Sequence, residues 1–114
     1  MDNNDLTRQR VVHRVLQDKA AELGNREFLR FQGKSFGYGA LDRASSRVAA
    51  GLETLGLGKG DRAAIIMGNR PEYLSLWCGL SKLGAVEVPV NTAHRGDLLT
   101  YMLGQSGSRI VVVE

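Results

Sequence analysis

The chain has a single cysteine, Cys78, among its 114 residues, so no internal disulfide can form. Cys78 stands beside Trp77 on an apolar helix face, where a reduced, packed thiol is the ordinary state. Long hydrophobic runs are also missing. No apolar stretch approaches the roughly 18–20 residues of a membrane span, which argues against a transmembrane segment. The amino terminus, Met1-Asp2-Asn3-Asn4-Asp5, is polar and acidic, unlike a secretory signal. A cytoplasmic location is the resulting expectation. Clustered positive charge is absent too. The formal charge is +3 and the pI about 9.4, yet Arg8, Arg10, Arg14, Lys19, Arg26, Arg30 and Lys34 are spread out and interleaved with Asp18, Glu22 and Glu27. With no basic run and no aromatic–glycine pattern, nucleic acid is not an expected partner. No cysteine–histidine cluster offers a metal site. His13, on the polar side of a helix, reads as a surface histidine. No serine, histidine and acid assemble into a nucleophilic triad on spacing.

What is present is ordinary for a globular chain. The composition is 43% hydrophobic and 24% charged, which argues against disorder, and the length fits one domain or a piece of a larger one. The most informative stretch runs from Gly60 to Asn91. Ala63 to Met67 is an apolar run suited to a strand buried on both faces, and Gly68-Asn69 breaks it. Pro71 fits a first helical position; Leu74, Trp77, Cys78 and Ser81 follow at helical spacing on the expected inner face; Gly84 fits a left-handed stop. Val86 to Val90 is the next strand. Two strands joined by a helix of about four turns are expected to run parallel with a right-handed crossover.

Before this unit, residues 6–24 carry apolar positions three or four apart, an amphipathic helix. Residues 27–31 and 35–36 read as a hairpin around a Gln32-Gly33-Lys34 turn. A second helix is expected over 40–55, with Leu41, Ala44, Val48, Leu52 and Leu55 on one stripe, ending in Gly56-Leu57-Gly58-Lys59-Gly60. After it, Asn91 to Gly96 reads as a polar loop, 97–105 as a third crossover helix, and Arg109 to Val113 as a buried β-branched strand. The expected fold class is α/β: a partial parallel sheet with crossover helices, preceded by a helix and a hairpin. A third strand left uncovered at its apolar edge suggests a truncated piece of a larger domain.

Two glycine patterns fail as phosphate loops. Gly33-Lys34-Ser35 has Phe28 where the earlier glycine belongs and lies in a hairpin turn. Gly56-x-Gly58-x-Gly60 has Asp61 where a dinucleotide fingerprint needs glycine, and it follows a helix instead of a strand. Asp97 of Arg95-Gly96-Asp97 is better read as a cap or first-turn acid than as part of an adhesion tripeptide. One constellation survives. The loops Gly68-Asn69-Arg70 and Asn91 to Arg95 should emerge at the same sheet edge and run into helix N-termini, which favour anions. Either Arg70 and Arg95 add charge there, or Asn69 and Thr92 merely cap helices and the arginines are solvated.

Several motifs follow one another in a recognisable register. They are Tyr38-x-x-Leu41-Asp42, Arg47-Val48-Ala49-Ala50-Gly51-Leu52, Leu55-Gly56-x-x-x-Gly60-Asp61-Arg62, Asn69-Arg70-Pro71-Glu72-Tyr73 and Leu83-Gly84-Ala85-Val86-x-Val88-Pro89-Val90-Asn91. On these the chain resembles the N-terminal segment of adenylate-forming, AMP-binding enzymes. It is most similar to acyl-CoA ligases of the carnitine/crotonobetaine type, through Val90-Asn91-Thr92 and Arg95-Gly96-Asp97-Leu98-Leu99. The resemblance implies a two-step ligase using ATP, Mg and coenzyme A: a carboxylic acid is adenylated with loss of diphosphate, then coenzyme A displaces AMP. It implies that residues 1–114 form an incomplete N-terminal part of the large AMP-binding domain. The phosphate loop, metal motif, ribose-binding aspartate and C-terminal domain would lie beyond it. No catalytic or metal residue is then expected here, no cofactor should bind tightly to this segment alone, and the partner is the remainder of the ligase, in the same or a separate chain. Asn91, Thr92 and Ala93 match a loop near the coenzyme A entrance of such enzymes. Gly37 stands where the family usually has Thr or Ser, so it offers no side-chain cap. The alternative from another class is a free-standing, non-catalytic α/β module that binds a nucleotide or a protein.

Overall fold

The computed structural model describes residues 11–114. Helix α1 spans Val12–Leu23 and is followed by a hairpin of β1 (Glu27–Phe31) and β2 (Lys34–Gly37). Helix α2 (Tyr38–Thr54) leads to β3 (Arg62–Ile66), α3 (Pro71–Leu83), β4 (Val86–Pro89), α4 (Gly96–Ser106) and β5 (Ile110–Val113). The expected first-helix residues 6–10 lie outside the described residues. The rest of that helix is present, with Leu16 buried and Gly24 ending it at φ 58°.

Local chemistry explains most boundaries. Gln32 and Gly33 take φ of 52° and 79°, a two-residue hairpin loop in the left-handed region that suits strand twist. Lys34 was expected in that turn; it instead opens β2 opposite Phe31, because two residues suffice to reverse the chain. Helix α2 starts at Tyr38, two residues before its expected start, and Gly37 is its N-cap without a side-chain bond. A Cβ at Gly37 would lie 2.9 Å from Asn25 O, so the backbone of the α1–β1 connection leaves no room for Ser or Thr. Leu55, expected on the buried stripe, is 70% exposed. The helix ends one residue earlier, and Leu57 turns inward in its place, 2% exposed.

The three-stranded sheet has order β4-β3-β5, and both pairings are parallel, with Ala64 opposite Val88 and Val111. Ala63, Ala64 and Ile65 are fully buried, as a central strand covered on both faces requires. Ala63 and Ile65 pack with Leu52, Leu57, Leu76 and Leu80 in the main core. Leu16, Leu41 and Cys78 form a second cluster between α1, α2 and α3. Helix α3 therefore buries two sides, and Trp77 projects between them. It is 43% exposed, not buried beside Cys78 as the spacing suggested.

The seam between α2 and α3 is very close. A Cβ on Gly79 would come 2.9 Å from both Ser45 O and Val48 Cγ1. Ser45, fully buried, satisfies its hydroxyl by donating to Asp42 O in its own helix at 2.8 Å. At the rim, the Lys82 ammonium donates to Asp42 Oδ1 at 2.6 Å, Asp42 O at 2.9 Å and Ser46 Oγ at 2.6 Å. All three of its donors are used.

Two glycine substitutions separate close packing from helix propensity. Gly79→Ala should destabilise the chain by about 1–3 kcal/mol through overpacking. Gly51→Ala, at a site in α2 with nothing within 4 Å of a new Cβ, should stabilise it by about 0.5–1 kcal/mol. Urea denaturation of the two variants checks the opposite signs.

Candidate functional site

In a parallel sheet the loops after successive strands leave at one edge, where ligands of α/β proteins gather. Here that edge carries residues 67–70 after β3, residues 90–95 after β4, and Glu114 after β5. The Val90 N–H bonds to Ile65 O at 2.9 Å, which holds the second loop beside the end of β3. The sequence placed both loops at one edge, and the structure does the same.

Their polar groups are engaged within the chain. The Gly68 N–H donates to Glu114 Oε1 at 3.2 Å. The Arg70 guanidinium lies 3.5 Å from the same oxygen and 3.4 Å from Glu72 Oε2. These pairs are exposed and contribute little to stability, but they turn the arginine toward carboxylates. Arg95 folds back on its own loop and donates to Thr92 O and, at 2.9 Å, to His94 O. Asn91 Oδ1 accepts the Ala93 N–H at 2.8 Å, a local turn that shapes the loop.

The helix starts differ from the capping alternative. Arg70 and Arg95 occupy the N-cap positions of α3 and α4 in extended conformation, and neither helix has a side-chain cap. Asn69 and Thr92 therefore do not cap; each lies before the N-cap. Asp97 is a first-turn acid of α4, and Glu72 holds the same place in α3. Each positive helix end thus has its own carboxylate close by. With Glu114, the edge presents three acids near the loops that would have cradled an anion.

Asn91, Thr92 and Ala93 are all exposed at this edge. Neither of two larger clefts includes them. One, about 280 Å³, lies under the hairpin between Phe28, Phe36, Leu41, Ala44 and Leu74, with Arg47 and Glu72 also lining it. The other, about 250 Å³, lies between Leu29 and Phe31 of β1 and Asn69, Arg70, Pro71 and Tyr73. Among the described residues, no group of three His, Cys, Asp or Glu side chains is placed to hold a metal ion. No helix among them is long and apolar enough to cross a membrane.

Three polar contacts escaped sequence reasoning because they join distant positions. His13, read as a surface histidine, is half-buried, with Nδ1 2.8 Å from Ser81 Oγ, so it links α1 to α3. Lys82 meets Asp42 across the α2–α3 seam. Tyr73 on α3 reaches Glu87 on β4. Burial, then the hydrogen bond and negative charge of Glu87, push the Tyr73 phenol up to about 12 from its usual 10.0. Cys78 is a buried free thiol raised above its ordinary 9.0 mainly by burial, the packed state its helix position suggested.

A family model described as AMP-binding enzyme matches residues 16–114. The chain belongs to the AMP-binding enzyme family. Among curated AMP-binding relatives, it is 40% identical over 75 residues to long-chain-fatty-acid–CoA ligase FadD13 of Mycobacterium tuberculosis, a match covering 66% of this chain and 15% of that protein. It is 30% identical over 113 residues to crotonobetaine/carnitine–CoA ligase of Salmonella paratyphi A, covering 95% of this chain and 22% of that one. Of solved structures, a Mycobacterium tuberculosis fatty acyl CoA synthetase superimposes with TM-score 0.87 at 30% identity, covering 93% of this chain and 22% of that chain. The N-terminal subdomain of Klebsiella oxytoca NpsA, in complex with 3-hydroxyanthranilyl-AMSN, gives 0.84 at 29% identity, covering 90% and 26%. The chain therefore spans about 15–22% of the length of these curated relatives. The α/β architecture read from the sequence is that of adenylate-forming enzymes.

The Tyr73–Glu87 contact has a pH signature. A phenol whose folded pKa is raised from 10.0 to about 12 stabilises the fold fully below pH 10, and that contribution is lost as pH rises through about 12. Tyr73→Phe should remove the fall in stability between about pH 10 and 12 and lower the neutral plateau, as measured by thermal melts across pH.

Proposed function

We propose that residues 1–114 are the N-terminal scaffold segment of an ATP-dependent acyl-CoA ligase. The whole enzyme would convert a carboxylic acid, ATP and coenzyme A to acyl-CoA, AMP and diphosphate through an acyl-adenylate. The observation that carries this reading is the family match over 16–114. Its support is the superposition, at TM-score 0.87, on a fatty acyl CoA synthetase. The chemistry would belong to a large AMP-binding domain of which this is an incomplete part, with its catalytic motifs and a C-terminal domain outside it.

The residues described here do not fit Mg-ATP. Arg70 and Arg95 are turned onto groups of the chain itself, and Glu72, Asp97 and Glu114 set negative charge at the same edge. A triphosphate would meet repulsion there before it met a free cation. The role of the segment in catalysis is positional: it carries the sheet and helices on which the rest of the domain is built. For coenzyme A, the exposed Asn91-Thr92-Ala93 loop flanks the entrance, its turn braced by the local Asn91–Ala93 bond. Catalytic and metal residues are none in this segment, and the ligase acts in the cytoplasm.

The chain alone is expected to release no pyrophosphate above a protein-free blank when mixed with Mg-ATP and fatty or other carboxylic acids. Release well above the blank would contradict a purely positional role. Stoichiometric nucleotide binding without turnover would instead favour the free-standing binding module.

A further inference from the structure

Three clefts run into one another beneath the hairpin. The first, about 280 Å³, lies between Phe28 and Phe36 of the hairpin and Ala40, Ala44 and Leu74 of the helices below. A second, about 210 Å³, opens between α1 and α3, with Val15 and Trp77 on its walls. The third, about 250 Å³, is the one beside Asn69 and Arg70. Leu74 lines all three, and Phe28 and Leu41 are shared by the first two. The result is an elongated apolar groove. Singly the clefts fall short of the roughly 300 Å³ at which ligand pockets begin; joined, they exceed it. Its walls stay partly in solvent, with Val15 38%, Phe28 42% and Trp77 43% exposed. Large apolar side chains exposed together mark a binding surface.

The cations along the groove decide what it takes. Lys19, in the second cleft, lies 3.3 Å from Glu22 Oε2, and Arg70, in the third, is engaged with Glu72 and Glu114. Glu72 also lines the first cleft, where Arg70 already answers its charge. Arg47 lines that cleft too, is exposed, and makes no hydrogen bond or ion pair among the described residues. Ala40, Ala44 and Arg47 are spaced four and three apart, so they share one face of α2. The two small side chains leave the space and the third supplies the unanswered charge. We propose that this groove binds an unbranched carboxylate of medium chain length, its head on the Arg47 guanidinium and its chain running past Leu74 toward Trp77. Guanidinium meets a carboxylate through two parallel N–H donors. Each methylene buried in the groove tightens binding about fourfold. The site involves no nucleotide, so it goes beyond the ligase reading and does not depend on it.

Trp77 is the only tryptophan of the chain, so its fluorescence follows the tail end of the groove. Octanoate, decanoate and decanol are titrated into the chain below their micelle and solubility limits. Decanoate should bind one-to-one, about tenfold more tightly than octanoate. Arg47→Gln, an exposed change, should weaken decanoate about five- to tenfold and leave decanol unchanged. Ala44→Leu, which fills the first cleft, should weaken both. No saturable change of Trp77 emission with decanoate overturns the proposal, as does an Arg47→Gln effect that is the same for decanoate and decanol. Emission that shifts with protein concentration alone assigns the groove to a second copy, which also overturns it. A chimera carries the chain in place of the matching segment of the Mycobacterium tuberculosis fatty acyl CoA synthetase. There, a nitroxide-bearing decanoate should still broaden the Ala44 and Leu74 methyl resonances, and less so with Arg47→Gln. No broadening means that the remainder of the enzyme fills the groove, which counts against the proposal. Pyrophosphate release enters none of these readouts, so the ligase reading and the groove can fail separately.

Discussion

The close approach of α2 and α3 at Gly79 is the constraint on which the rest of the structure depends. With no side chain there, the helix backbones come close enough that a single Cβ would meet Ser45 O and Val48 Cγ1 at 2.9 Å. That closeness lets Leu52 of α2 and Leu76 and Leu80 of α3 share one core with Ile65 of the central strand. Each buried leucine contributes about 1.5–3 kcal/mol. The polar groups at the seam are satisfied: Ser45 bonds within its helix, and Lys82 spends all three donors on Asp42 and Ser46. Removing Asp42 alone would strand a cation that is only 11% exposed, so the pair fixes the relative placement of the helices more than it adds net stability.

Fixing α3 in turn fixes the sheet edge. Pro71 starts the helix immediately after the Gly68–Arg70 loop, and Gly84 ends it at φ 71° where the chain must turn into β4. Tyr73 then ties α3 to Glu87 of that strand. The loop after β4 therefore emerges beside the loop after β3 because both follow from one well-packed helix. What emerges is a shaped edge whose arginines are turned onto groups of the chain itself, not an anion cradle.

The fold was legible where local chemistry decides it. Pro71, Gly84 and the apolar run Ala63-Ala64-Ile65 marked a strand–helix–strand unit, and the unit is there at those residues. Legibility failed where two sides of one helix compete for burial. Trp77 was placed inward because periodicity alone cannot say that α3 packs on the sheet with one side and on α1 with another, with Trp77 still 43% exposed. Leu55 misled for a related reason, since one residue of fraying at a helix end moves the next side chain to solvent. The edge constellation was half legible. The loops coincide as topology demands, but Arg70 and Arg95 find partners at Glu72, Glu114, Thr92 and His94 that only the folded backbone brings within reach. Gly37 is the instructive opposite case. A missing cap looks like a weakness in the sequence and is a steric requirement in the structure.

The central claim is that this segment of an AMP-binding enzyme builds the frame of a ligand site without itself holding the nucleotide. The most direct measurement is a titration of Mg-ATP into the chain, following the backbone amide resonances of Gly68 and Gly96 at the two loop–helix junctions. The account predicts no saturable shift at either amide, because Glu114 already takes the Gly68 N–H and Asp97 already lies in the first turn of α4. Saturable, one-to-one shifts confined to those junctions would contradict it, and would make the edge a nucleotide site in its own right.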